Sequence, residues 1–155
     1  MAEIVQAHSS AHYDAARQLF EEYAASLPFN LDFQDFDREL AILPGEYALP
    51  TGSLLLAQIA GQTVGCVAIR RLGDDVCEMK RLYVVPQARS HAIGRSLATA
   101  AIAEARTLGY RRMRLDTAPS MHEARRLYQQ LGFREIEAYR YNPIHGTTFM
   151  EIGLR

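Results

Sequence analysis

The chain has only two cysteines, Cys66 and Cys77, in 155 residues. Neither belongs to a CxxC pair, and no cluster of His, Cys and Asp has metal-ligand spacing, so neither a disulfide nor a metal is expected. Both lie in apolar, strand-like runs and read as small buried hydrophobes. Charge of one sign is also lacking. Seventeen Lys and Arg stand against eighteen Asp and Glu, a formal net charge of −1, which leaves no global basic field to draw nucleic acid or an anionic membrane. The opening Met1-Ala2-Glu3-Ile4-Val5-Gln6 carries no basic run followed by an apolar stretch, and no apolar run approaches bilayer-spanning length. The expectation is a cytoplasmic protein with no membrane or nucleic-acid partner. GxxxxGK followed by Ser or Thr is missing between strand and helix, as is GxGxxG, which sets aside the common nucleotide-binding classes.

What is present fits one globular domain over residues 1–155, with 48% hydrophobic and 23% charged residues. Ala15, Leu19, Phe20 and Tyr23 recur at helical spacing between Ser10 and Leu27, with Ser9 or Ser10 as N-cap. Phe33, Phe36 and Leu40 predict a short second helix, stopped at Leu43-Pro44-Gly45. The period then changes. Ser53 to Ala60, Thr63 to Arg70 and Val76 to Val85 read as a three-strand meander, turning at Gly61-Gln62 and Leu72-Gly73-Asp74-Asp75 and ending at Pro86. Ile93, Leu97, Ala101, Ala105 and Leu108 form one face of a long helix capped by Gly109. Tyr110 to Thr117 is predicted as strand, Met121 to Leu131 as helix ending at Gly132, and Phe133 to Tyr141 and Thr147 to Leu154 as two last strands. A strand–helix–strand crossover between antiparallel hairpins pairs its strands in parallel, so the predicted fold class is α/β: a mixed, mostly antiparallel sheet with helices on both faces.

The most informative stretch runs from Cys77 to Leu97, where a strand, a small-residue loop and a helix N-terminus follow one another directly. The first turn of a helix leaves backbone N–H groups unpaired and carries partial positive charge, so a loop free of bulky side chains lets phosphate oxygens reach those donors. Arg89 and Arg95 add charge there.

At these residues the sequence resembles the GNAT superfamily of N-acetyltransferases, whose coenzyme A signature is Gln or Arg, two residues, Gly, one residue, then Gly or Ala. Here it reads Arg89-Ser90-His91-Ala92-Ile93-Gly94, with Ala92 where the family usually has Gly. Ala92 disfavours positive φ, so a helical φ or a slightly more distant loop is expected. Two further blocks match in order: Glu78 to Val84 upstream, and Ala124 to Phe133, the family's LYxxxGF helix ending, downstream. The resemblance implies the acyl-CoA N-acyltransferase fold, with a splayed parallel strand pair, and acetyl-CoA as acyl donor. It implies that the pantetheine arm bonds strand backbone at Leu82, Tyr83 and Val84, like an added strand. The diphosphate then meets the run Ser90, His91, Ala92, Ile93, Gly94 and Arg95 beside Arg89. Tyr128 matches the residue whose phenol protonates the departing thiolate, a role that suits a group protonated near neutral pH.

Glu78 matches a carboxylate general base. Simple alternation sets Glu78, Lys80, Leu82 and Val84 on one face, and a base tuned toward neutrality helps remove the proton of the attacking amine. Many members carry Asn where this chain has Met121, which leaves that polar contact to Thr117 or Ser120. In this fold amines enter between the first interhelical loop, with Phe29, and the last interstrand loop, with Arg140 and Asn142. Arg140 pairing a carboxylate points to a small, amino-acid-like acceptor. Homodimers, common in the family, would use exposed strand edges. Two alternatives stay open: a non-catalytic acyl-CoA-binding regulatory module, and an acetyltransferase acting on protein N-termini or lysines.

Overall fold

The computed structural model describes residues 2–154, apart from the side chains of Ser90 and His91. In chain order the elements are β1 (Glu3–Gln6), α1 (Ser10–Ala25), α2 (Phe36–Ile42), β2 (Ser53–Ile59), β3 (Gln62–Arg71), β4 (Val76–Val84), α3 (Ile93–Thr107), β5 (Arg112–Thr117), α4 (His122–Leu131), β6 (Arg134–Ile136) and β7 (Thr148–Gly153). Short 3-10 turns occupy Asp32–Gln34, Gly45–Tyr47 and Pro86–His91. The strands make one sheet in the order β1-β2-β3-β4-β5-β7-β6. Neighbours are antiparallel except β4 and β5, which are joined through α3 and run parallel. Among the described residues no helix is long and apolar enough to cross a membrane.

Both faces of the central strands are buried, which is why β2 and β3 read as apolar runs rather than alternations. Leu55, Val67, Ile69 and Met113 pack against Leu97, Ala101 and Ala105 of α3 on one face. Leu54, Leu56, Cys66 and Ala68 pack against Ala16, Leu19 and Phe20 of α1 on the other. The Ser9 side chain caps α1 by accepting from the His12 N–H at 3.2 Å. Gly65 lets α3 approach β3: a Cβ there would lie 2.9 Å from Leu97 Cδ1 and 3.1 Å from the Tyr83 carbonyl.

Three expectations need correction. Strand β1 pairs with the edge of β2 through Glu3↔Gln58 to Gln6↔Leu55, although its four residues carry too short a pattern to be recognised. The strand expected over Phe133 to Tyr141 shrinks to Arg134–Ile136, because the chain then leaves the ladder and turns Tyr139 and Arg140 toward buried carboxylates. Most consequential is β4. Cys66 faces Tyr83 and Ala68 faces Lys80, so three steps of β4 span two of β3, a β-bulge, and Arg81 takes φ 63°. The bulge reverses alternation. Glu78 and Lys80 stay on the α1/α2 side with Tyr83, whereas Leu82 and Val84 join Met79 and Cys77 on the α3 side.

Packing over-determines the left-handed Arg81. Its guanidinium donates two 2.8 Å bonds to the Glu39 carboxylate of α2 and lies 5.2 Å over the Phe36 ring. Such a conformation costs on the order of 1–3 kcal/mol and persists where its surroundings hold it. Burial opposes ionisation of Glu39, but the Arg81 bonds and charge outweigh it and hold the carboxyl below its ordinary range.

Candidate active site

Strands β4 and β5 pair only at Val76↔Arg112, Cys77↔Met113 and Glu78↔Arg114. Beyond that point β5 pairs through Thr117 with β7 on its far side, and β4 curves away through its bulge. The gap opens into a cleft of about 740 Å³, lined by Met79 to Val84, the start of α3, Thr117 and Tyr128. A second cavity of about 290 Å³ lies on the α2 side, lined by Phe33, Arg38, Ile42, Arg70, Arg140 and Tyr141 among others. The two share Gln34 and Lys80.

The donor-side expectations gather in the first cleft. Leu82, Tyr83, Val84, Arg89, Ala92, Gly94, Arg95, Thr117 and Tyr128 all line it. Ile93 does not: its side chain is 1% exposed and packs into the α3 core, leaving only backbone for a ligand. The side chains of Ser90 and His91 lie outside the described residues. Ala92 is the N-cap of α3; its carbonyl accepts from the Ser96 N–H at 3.2 Å and its side chain makes no cap bond. The helix's first N–H groups thus have no side-chain cap at the mouth of the cleft. Ala92 takes φ 57°, so the expected avoidance of positive φ is wrong: the chain keeps the glycine-like conformation and bears its strain.

The Arg89 guanidinium donates to the Val84 carbonyl at 2.9 Å and lies 5.6 Å over the Tyr83 ring, tying the turn to the end of β4. Arg95 reaches Gln130 of α4. Thr117 Oγ1 is buried and, among the described residues, has no hydrogen-bond partner, although it lines the cleft. A buried hydroxyl is rarely left unpaired, so this orphan fits a polar ligand group. Parted strands, a helix start without a bulky cap and an orphan hydroxyl thus meet in one cleft.

Tyr128 is buried on α4, its ring 5.6 Å from Phe133. Burial, then the neighbouring Tyr23 phenol and Asp116 carboxylate, push its pKa upward, so the phenol stays protonated at neutral pH.

Glu78 departs from expectation. Its carboxylate is fully buried and lines neither cavity. It accepts from Arg70 Nε at 2.8 Å and the Tyr139 hydroxyl at 2.6 Å, and pairs with Arg140. Burial opposes its charge, but Lys80, Arg140 and Arg70 outweigh this and hold its pKa at about 2. A carboxylate so acidic and so fully bonded is a poor proton acceptor; Glu78 ties β3, β4 and the last loop together instead.

The acceptor-side residues scatter. Arg140 lines the α2-side cavity but is spent on Glu78 and Asp116. Asn142 donates to Asp116 at 3.2 Å and accepts from the Ile144 N–H at 2.8 Å, as a turn-forming side chain does. Phe29 lines only a small recess with Asn142 and packs 6.5 Å from Phe33. Sequence reasoning missed Gln34, Arg38, Lys80 and Arg70 as cavity residues. Only Lys80 had a signal, a charge on a mostly apolar strand.

Known proteins share these features. The family described as Acetyltransferase (GNAT) family matches residues 13–133. An uncharacterized N-acetyltransferase of Schizosaccharomyces pombe is 38% identical over 143 residues, covering 91% of this chain and 88% of that one. An acyl-CoA N-acyltransferase from Klebsiella pneumoniae is similar in structure, with a TM-score of 0.76 at 29% identity, covering 100% of this chain and 99% of that one. An acetyltransferase from Salmonella typhimurium, solved with its cofactor acetyl-CoA, shares the fold at a TM-score of 0.80 and 21% identity, covering 99% and 94%. With the splayed strand pair, the helix-start motif and these matches in agreement, the chain is an acyltransferase that belongs to the GNAT acetyltransferase family.

Proposed function

We propose that this protein moves an acetyl group from acetyl-CoA to the primary amine of a small molecule by direct attack of the amine. The observation that carries the reading is the cleft itself: parted β4 and β5, the start of α3 and the Tyr128 phenol line one continuous space. Acetyl-CoA would supply an activated thioester carbonyl. Leu82 to Val84 would offer the strand backbone, the first N–H groups of α3 and Arg95 would meet the diphosphate, and Thr117 would donate to or accept from a polar group of the arm. Tyr128 would give its proton to the leaving thiolate, which lowers the cost of charge on sulfur.

A small acceptor is supported by the second cavity, whose volume of about 290 Å³ lies near the low end for small-molecule sites. Its rim combines exposed Phe33, Ile42 and Tyr141 with the exposed cation Arg38. That mixture suits an amine bearing an apolar portion and an anionic group better than an extended polypeptide. Arg38 replaces Arg140 as the cation available to such a group.

Calorimetric titration with acetyl-CoA should show saturable binding. L-amino acids, aliphatic diamines and peptides, each offered with acetyl-CoA, should release free thiol with the small amines first. Thiol release with peptides alone would overturn the small acceptor, and no saturable uptake at millimolar acetyl-CoA would overturn the whole reading.

A further inference from the structure

Lys80 occupies an unusual position. It is partly buried on β4 beside the bulge, and with Gln34 it forms the wall common to the donor cleft and the acceptor cavity. Its ammonium donates to the neutral Gln34 amide oxygen at 2.9 Å and has no ion-pair partner among the described residues. The charged groups around it are Glu78 and Arg81 from β4, Arg70 from β3, Glu39 from α2 and Arg140 from the last loop. Both carboxylates are engaged elsewhere, Glu78 by Arg70, Arg140 and Tyr139, and Glu39 by the two Arg81 bonds. Three guanidiniums therefore surround an amine that holds no carboxylate of its own.

We propose that Lys80 is the proton acceptor of the transfer, its Nζ taking the proton that the attacking amine gives up at the junction of the two cavities. The inference rests on the acetyl-transfer reading above and names the base that Glu78 cannot supply. Burial, then the Arg81 charge, with Arg70 and Arg140 adding to it against Glu78, brings the Lys80 pKa down to about 7. Much of the residue is thus free amine at neutral pH, as general-base lysines require. In the transfer, the acceptor nitrogen bonds to the acetyl carbon as the carbon–sulfur bond breaks and its electron pair goes to sulfur. The nitrogen loses one proton to the Lys80 lone pair, and sulfur gains one from Tyr128. Lys80 ammonium and Tyr128 phenolate then exchange with solvent, so the protein gains and loses one proton each.

Two measurements test this. NMR of protein carrying 13Cε-labelled lysine, saturated with coenzyme A and assigned by loss of a peak in Lys80→Arg, should show Lys80 titrating near pH 7. Titration at ordinary lysine pH would overturn the proposal. With the fastest acceptor of the amine panel, wild-type kcat should rise with pH through about 7 and then level. Lys80→Met and Lys80→Arg should each lower kcat by roughly 10²-fold or more and lose that rise, while calorimetric acetyl-CoA affinity changes little. Arg keeps the charge but cannot give it up, so wild-type kcat in Lys80→Arg would reduce Lys80 to a binding cation and overturn the base. Thermal melts of both variants separate misfolding from lost chemistry. Failure of wild type to bind acetyl-CoA would instead overturn the underlying acetyl-transfer reading, and the role of Lys80 with it.

Discussion

On the donor side of the Gln34–Lys80 wall, backbone and neutral groups stand beside Arg89 and Arg95: the free edge of β4, the first turn of α3, the Thr117 hydroxyl and the Tyr128 phenol. On the acceptor side they are charged side chains, and most are bound to one another. Arg70 is held by Glu46 and the buried Glu78, Arg140 by Glu78 and Asp116, and Glu39 by Arg81, 42 positions away. A surface made of backbone tolerates changes of side chain as long as the path of the chain is kept. A surface made of interlocked ions does not, because removing one member takes a charge from every partly buried partner it holds.

The sharpest break of that contrast is Glu78→Gln. It should cost about 3–5 kcal/mol by leaving Arg70 and Arg140 without their shared carboxylate, seen as a large fall in Tm. The same group makes wild-type stability acid-sensitive. Folding lowers its pKa from an ordinary 4.5 to about 2, so its stabilisation is complete above about pH 4.5 and disappears as the pH falls through about 2. A denaturation midpoint that stays flat across that window would remove Glu78 from the acid response.

Tyr128→Phe tests the donor side with the next largest effect. Turnover should fall by about 10²-fold while calorimetric acetyl-CoA affinity stays near wild type, and unchanged turnover would discard the phenol as an acid. Smaller still is Thr117→Val, which removes an orphan hydroxyl. It should leave the Tm of the unliganded protein unchanged or higher, and weaken acetyl-CoA by roughly the 1 kcal/mol of one hydrogen bond. Equal affinity would exclude Thr117 from the contact. Ala92→Gly should have the smallest effect, a gain of up to about 1 kcal/mol in folding from relieved left-handed strain, offset by the greater freedom of the unfolded glycine.

The same contrast explains which features could be read from the chain. The helix start at Ala92, the Gly109 and Gly132 caps and the LYxxxGF ending lie in short contiguous stretches, so their physics is local and visible. Tyr128 was legible for that reason. Glu78 was legible as a residue but its burial was not, since its partners Arg70, Tyr139 and Arg140 come from two other parts of the chain. The extra residue in β4 left no mark, because Arg81 is an ordinary strand residue whose positive φ is imposed by Glu39 and Phe36 of α2. Strand β1 was hidden by brevity: four residues stabilised by the edge they join.

The bulge at Arg81 makes the donor cleft a matter of counting. With the additional residue, Leu82 and Val84 turn to the α3 side and Tyr83 to the α1 side; drop it, and every side chain downstream trades sides. Spacing between Glu78 and Pro86 therefore carries more information than the letters that fill it. Substitutions that keep the interval preserve the shape of this edge, whereas a single deletion rewires it.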